Sequence, residues 1–376
     1  MGGLYLHIPF CRRKCPYCDF YSIPATDQEI AGYPELLARH LALAREQGWH
    51  GPFDTVYFGG GTPSLLPPEA VDNILQAVER TFGVARAAEI TLEANPGTVT
   101  LQSLAGYRRA GVNRLSLGLQ SCSDHQLGVL GRLHNRREGF TAVHWARDAG
   151  FDNLSLDLMF ALPGQTAADL EEDLASYLGL HPEHLSCYGL TAEPQTPLHK
   201  SVAAGELSLP DEEFYAEAFL RVHERLAAAG YEHYEIANYA RDGRACRHNL
   251  GYWQRRPYLG IGAGAHSFRA ERWGSRWQVP PDLTAYRQKL RDGQEPMHCL
   301  ERFGRTSALS ETIYLALRTR HGISDPELER RFGTTLAEAF PEAVASCAPW
   351  LAHVDDRWAL SPAGWLLFDR LILAFL

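Results

Sequence analysis

Residues 4–18, Leu4-Tyr5-Leu6-His7-Ile8-Pro9-Phe10-Cys11-Arg12-Arg13-Lys14-Cys15-Pro16-Tyr17-Cys18, decide how this chain is read. The first five positions form a short β-rich run that Pro9 closes, and three cysteines then crowd into the loop behind it. Runs of the same kind follow at residues 55–58, 89–93, 114–119, 153–158 and 184–190. Amphipathic stretches separate them. Val71, Ile74, Leu75, Val78 and Phe82 share one helical face, as do Tyr215, Phe219, Val222 and Leu226. This alternation predicts an α/β fold with parallel strands. Six such units fit a partial (β/α)6 TIM-like barrel at least as well as an open doubly wound sheet. The barrel is favoured because polar and glycine residues gather where the runs end: Gly59-Gly60-Gly61, Glu93, Gln120, Asp157 and Thr191. Active sites of parallel barrels are assembled at that end of the strands.

Beyond residue 230 the alternation stops. Residues 231–238 read as one more strand, and an irregular aromatic and arginine-rich segment runs on to residue 276. Helical patterning resumes at Ser307 and again after Ser324-Asp325-Pro326, where a cap precedes a first-turn proline. A hairpin-like piece at 352–360 leads through Ser361-Pro362 into an apolar run, 365–376, interrupted by Asp369 and Arg370 and read as one terminal helix. Two regions are therefore expected, 1–230 and 231–376. The second is an α+β region ending in a winged-helix-like module at residues 305–376.

Net charge is −9, with 45% hydrophobic and 22% charged residues, the make-up of an ordinary globular protein. A negative overall field repels phosphate backbones, so nucleic acid is not an expected partner. No run reaches the length of a transmembrane segment, and the first ten residues lack the cationic start and apolar stretch of a secretory signal. A cytoplasmic location is the expectation. Cys122, Cys187, Cys246, Cys299 and Cys347 are scattered and read as small buried hydrophobes.

Cys11, Cys15 and Cys18 stand at CxxxCxxC spacing. A [4Fe–4S] cubane that is fully ligated by protein takes four thiolates, so three leave one iron open to a ligand. Arg12, Arg13 and Lys14 place positive charge beside the cysteines, a setting that stabilises thiolates. A structural zinc site is the alternative, but it needs a fourth ligand, and neither His7 nor Cys122 has a matching spacing. Glycines after the strand at 55–58 let a backbone approach a ligand closely. Glu93, Gln120 and Asp157 offer acceptors and a donor to a ribose or an amino-acid moiety, and Arg132 can pair with a carboxylate.

With Tyr17 as the aromatic residue before the third cysteine, the loop resembles the signature of the radical S-adenosylmethionine (SAM) superfamily. That resemblance implies that SAM chelates the open iron, and that an electron from the reduced cluster splits its sulfonium to give a 5′-deoxyadenosyl radical. The chain is similar, over nearly its whole length, to the oxygen-independent coproporphyrinogen III oxidase-like group. The likeness is carried by Tyr5-Leu6-His7-Ile8-Pro9-Phe10, Gly59-Gly60-Gly61-Thr62-Pro63, Glu93-Ala94-Asn95-Pro96, Leu117-Gly118-Leu119-Gln120-Ser121, Leu130-Gly131-Arg132-Leu133-His134 and the run from Asp157 to Thr166. It implies SAM contacts from Tyr5, Tyr17, Gly60, Gly61, Thr62, Glu93, Gln120, Arg132 and Asp157.

Decarboxylating members of that group carry CxxxCxxCxC and a longer leader. Here Phe20 stands where the further cysteine would be, and few residues precede Cys11. The pattern is instead similar to the HemW-type haem chaperones, whose HNxxYW motif is matched by His248-Asn249-Leu250-Gly251-Tyr252-Trp253. A histidine can be an axial haem ligand, flanking aromatics can cover a porphyrin, and Arg255 and Arg256 can meet propionates. A histidine satisfied by local hydrogen bonds among core aromatics explains the same residues about as well. The resemblance implies a haem-site segment at 244–268 with His248 as a haem-binding residue, haem as cargo, recipient haemoproteins as partners and an electron donor for the cluster. The expectation is a radical-SAM haem chaperone with no assigned catalytic residue. The alternative is a coproporphyrinogen III dehydrogenase-type oxidoreductase.

Overall fold

A computed structural model describes residues 2–376. Strands β1 (Gly2–Ile8), β2 (Phe53–Gly60), β3 (Val84–Ala94), β4 (Arg114–Gln120), β5 (Leu154–Phe160) and β6 (His184–Gly189) lie side by side in chain order and all run parallel. All six expected runs are therefore strands, each extended or trimmed by a few residues at its ends. The helix Pro68–Phe82 buries Val71, Ile74, Leu75, Val78 and Phe82 against them, and Glu212–Ala228 buries Phe219, Val222 and Leu226. The outward sheet face is apolar, with Val56, Phe58, Leu92, Leu115, Leu117, Leu154 and Leu156 sealed under the helices.

The inner face differs. Register partners in a sheet share a face. Tyr5 stands level with Tyr57, Tyr57 with Thr91, and Thr91 with Arg114. One layer up, Glu93 is level with Ser116, and Asp157 with Ser186. The barrel is thus lined mostly by polar side chains at alternate positions of its strands, while the intervening residues form the hydrophobic core.

The two expected regions share one sheet of twelve strands. Beside β1, the strand Tyr258–Ile261 pairs in parallel, followed by the antiparallel strands His266–Arg269, Ser275–Gln278 and His298–Arg302. At the other edge, residues 231–238 are not one strand as expected. Glu232–Glu235 and Asn238–Ala240 form a hairpin on β6, and the turn between them is tied down where the Ile236 amide donates to the Arg318 carbonyl at 3.2 Å.

Downstream, the helices Arg305–Ala316, Asp325–Phe332 and Pro341–Cys347 accompany a three-stranded sheet of Ile323–Ser324, Arg357–Leu360 and Leu351–Val354, the arrangement of a winged-helix-like module. Ser324 caps its helix by accepting from the Glu327 amide. The terminal run is not a single helix. Leu367 leaves helical backbone at φ −102°, ψ 14°, so Pro362–Leu366 and Phe368–Leu371 are separate, and Ile372–Phe375 tightens to a 3-10 turn. Trp365, Phe368, Leu371, Ile372 and Phe375 are buried all the same, so the apolar spacing outlived the backbone break. Among the described residues no helix is long and apolar enough to cross a membrane.

Candidate cofactor site

The cysteine loop leaves β1 at its C-terminal end and is zipped to the glycine turn that ends β2. The Gly61 amide donates to the Ile8 carbonyl at 2.8 Å, and the Thr62 amide to the Phe10 carbonyl at 2.7 Å. Both glycines are needed for this approach. Gly60 has φ 113°, and a Cβ there would lie 2.7 Å from the His7 ring; a Cβ on Gly61 would lie 2.6 Å from the Phe10 carbonyl oxygen. Thr62 then reaches Cys11, donating Oγ1 to its sulfur at 3.5 Å. From the other side, Arg132 donates Nη2 to the Gly118 carbonyl at 2.7 Å and points Nη1 at the Cys15 sulfur at 3.8 Å.

These elements enclose a cavity of about 650 Å³ at the barrel mouth, lined by Cys11, Cys15, Cys18, Tyr17, Gly60, Gly61, Thr62, Glu93, Gln120, Arg132 and Asp157. Every residue expected to hold the cluster lines it, as does every expected SAM residue except Tyr5. Tyr5 lies behind the wall, stacked against Tyr57 at 6.2 Å, with its hydroxyl on His7 Nδ1 at 3.1 Å. Thr191 lines the cavity as well.

Burial pushes the Glu93 carboxyl up to about 7, while the Tyr57 hydroxyl, donating to it at 2.8 Å, acts in the opposite sense. Burial likewise raises Asp157 to about 6, against the hydroxyl of Ser116 at 3.3 Å. Two desolvated carboxyls side by side are suited to receive hydroxyl or ammonium donors from a ligand. Gln120 takes a left-handed φ of 72° and accepts from the Tyr188 hydroxyl at 2.9 Å. A strained non-glycine backbone of this kind persists where its surroundings hold it, and such positions cluster at ligand sites.

A cluster and SAM fit these walls. Arg132 Nε is buried without a hydrogen-bond partner, which leaves a cationic donor for a carboxylate. The three cysteines are free and partly exposed. Among the described residues no three His, Cys, Asp or Glu side chains are gathered to hold a single metal ion.

His248 is not brought to this cavity or to the surface. It is 3% exposed, and its ring bonds through Nδ1 to the Thr55 hydroxyl at 2.7 Å and through Nε2 to the Tyr252 hydroxyl at 2.8 Å. Both ring nitrogens are thus engaged within the protein. Arg255 and Arg256, read as propionate partners, are paired with Glu311 and Asp54. Tyr57, Ser116, Ser186 and Tyr188 line the cavity and were missed. Their signal was present in the strands as a polar residue at alternate positions, as in Leu115-Ser116-Leu117-Gly118-Leu119-Gln120.

Residues 5–176 match the family model of the radical SAM superfamily, and residues 305–367 that of the HemN C-terminal domain. The heme chaperone HemW of Bacillus subtilis is 33% identical over 100% of this chain and 99% of its own. The chain belongs to the HemW family. The HemW of Synechocystis is 40% identical over 86% of this chain and 79% of its own, and that of Escherichia coli 42% identical over 70% and 69%. The structure of Escherichia coli coproporphyrinogen III oxidase, HemN, superposes with a TM-score of 0.84 over 99% of this chain and 89% of that one, at 22% identity. The HemW-family chain therefore shares its fold with HemN, including the strands that build the cavity.

Proposed function

We propose that this protein binds haem and passes it to haemoproteins, and that it holds a [4Fe–4S] cluster and SAM in the barrel mouth. The observation that carries the chaperone reading is the end-to-end similarity to the Bacillus subtilis heme chaperone HemW. Phe20 supports it too, because a phenylalanine occupies the place of the further cysteine found in decarboxylating relatives. In this reading Cys11, Cys15 and Cys18 hold the cluster, Arg132 receives the SAM carboxylate, and Glu93 and Asp157 accept from its hydroxyls. Gly60 and Gly61 bring backbone against it, while Tyr17 and Gln120 close the walls. When bound, the cluster with SAM supplies one-electron chemistry, which requires an external electron donor. Residues 1–230 carry these cofactors and 231–376 complete the sheet and add the helical module. A cytoplasmic location belongs to the same reading.

The fold shared with HemN favours one other reading, a coproporphyrinogen III dehydrogenase. Anaerobically reconstituted protein, titrated with haem and then mixed with an apo-haemoprotein, is expected to bind haem and release it to the acceptor. Reduced and supplied with SAM and coproporphyrinogen III, it is expected to leave the porphyrinogen intact. Decarboxylated product without haem binding overturns the chaperone reading in favour of the enzyme.

A further inference from the structure

The His248 segment occupies the barrel floor. The short helix Arg247–Trp253 lies under the N-terminal ends of β1 and β2, where a Cβ on Gly3 would lie 3.0 Å from the His248 ring. Glu89, on the inner face of β3, fastens it by accepting from the Arg247 amide at 3.3 Å and the His248 amide at 3.2 Å. The imidazole is then clamped between the Thr55 and Tyr252 hydroxyls. Its face lies against Tyr57, with ring centroids 5.0 Å apart and planes 26° from parallel, and Tyr5 stacks on Tyr57 as well. Tyr57 donates in turn to Glu93 at 2.8 Å, and both Tyr57 and Glu93 face the cavity.

We infer that His248 is a positioning residue of the cofactor cavity: by fixing the Tyr57 ring it sets the orientation of the Glu93 carboxylate that receives SAM. The inference rests on the reading of the cavity as a SAM site. A carboxylate in a polar barrel has several directions in which to point, and the Tyr57 hydroxyl, together with the Gly60 backbone, selects one. The hydroxyl can do so only if its ring is held, and the rings of His248 and Tyr5 hold it. Burial pushes His248 down to about 3, so the imidazole is neutral at working pH and acts by shape and hydrogen bonding rather than charge. The segment read from sequence as a haem site is thus built into the floor of the cofactor site.

The test measures SAM affinity by equilibrium dialysis on anaerobically reconstituted protein, with cluster iron and thermal melting followed in parallel. His248→Ala and Tyr57→Phe are each expected to weaken SAM about tenfold at unchanged cluster content. His248→Gln, which keeps an amide over the Tyr57 ring, is expected to recover part of the loss. Because both changes act on the same hydrogen bond, the double variant should be no more than about twofold weaker than Tyr57→Phe alone. His248→Ala with wild-type SAM affinity, or with a loss fully additive to that of Tyr57→Phe, overturns the inference while leaving the SAM site in place. Wild-type protein that binds no SAM overturns the cavity reading and the inference together. Should His248→Ala fail to fold, Tyr57→Phe decides, since it keeps the stack and removes only the hydroxyl; unchanged SAM affinity there overturns the proposal.

Discussion

Arg132 aims Nη1 at the sulfur of Cys15, 3.8 Å away, although 117 residues separate the two in the chain. The same guanidinium holds the Gly118 carbonyl, so one side chain ties the cysteine loop to β4. Residues that would ligate a cluster and residues that would bind SAM are therefore mechanically connected.

Replacing Cys11, Cys15 or Cys18 by alanine should abolish a stable [4Fe–4S] cluster, because each supplies one of three corners. Cys122→Ala and Cys347→Ala should keep it, since both thiols are buried away from the cavity. Iron and sulfide analysis after anaerobic reconstitution measures this, and a Cys15→Ala protein with a full complement of both contradicts it.

Glu93→Ala, Asp157→Ala and Arg132→Ala should each weaken SAM binding. Loss of one charge-assisted hydrogen bond costs about 1.5–3 kcal/mol, roughly ten- to hundredfold in affinity. The first two should leave cluster iron intact. Arg132→Ala should also alter the cluster's absorption, because its guanidinium faces Cys15. Unchanged SAM affinity in all three would refute the pocket.

Gly61→Ala should destabilise the protein by about 1–3 kcal/mol, the usual cost of overpacking. The added Cβ would lie 2.6 Å from the Phe10 carbonyl oxygen, a backbone atom with little room to retreat. Thermal melting detects the loss, and SAM affinity should fall with it as the turn separates from the cysteine loop.

Glu235 should make folding stability depend on pH. Burial raises its carboxyl to about 7, above the ordinary carboxylate range, although Arg318 and the Asn238 side chain favour the ionised form. A carboxyl raised on folding contributes stability that is fully present below the unfolded pKa and is lost as pH rises through about 7. Glu235→Gln removes that dependence. The variant should melt close to wild type near about pH 5 and be the more stable by about 1 kcal/mol or more near about pH 8. A difference that stays constant across that window would show that Glu235 does not titrate in it.

Much of the site was legible because its signals are local. The strand runs, the glycine turn and the polar strand ends each announce themselves within a few residues. Tyr57, Ser116, Ser186 and Tyr188 are less legible, because their strands read as buried runs in which the polar alternation is masked by the apolar residues between. The strand Tyr258–Ile261 shows why the expected division at residue 230 does not part the sheet. A strand's pattern reports that it will be buried and leaves its neighbour open, and this one pairs with β1, some 250 residues upstream.

The sequence by itself determined the cysteine loop and the alternating strands and helices, since both depend on residues close along the chain and on the burial each element demands. The tertiary structure alone decided which distant residues share a face. It set His248 beneath Tyr57 on the barrel floor, and it turned Arg132 toward Cys15. Sheet register and the path of the connecting helices make those choices, and they are settled only when all the parallel strands close around a common interior.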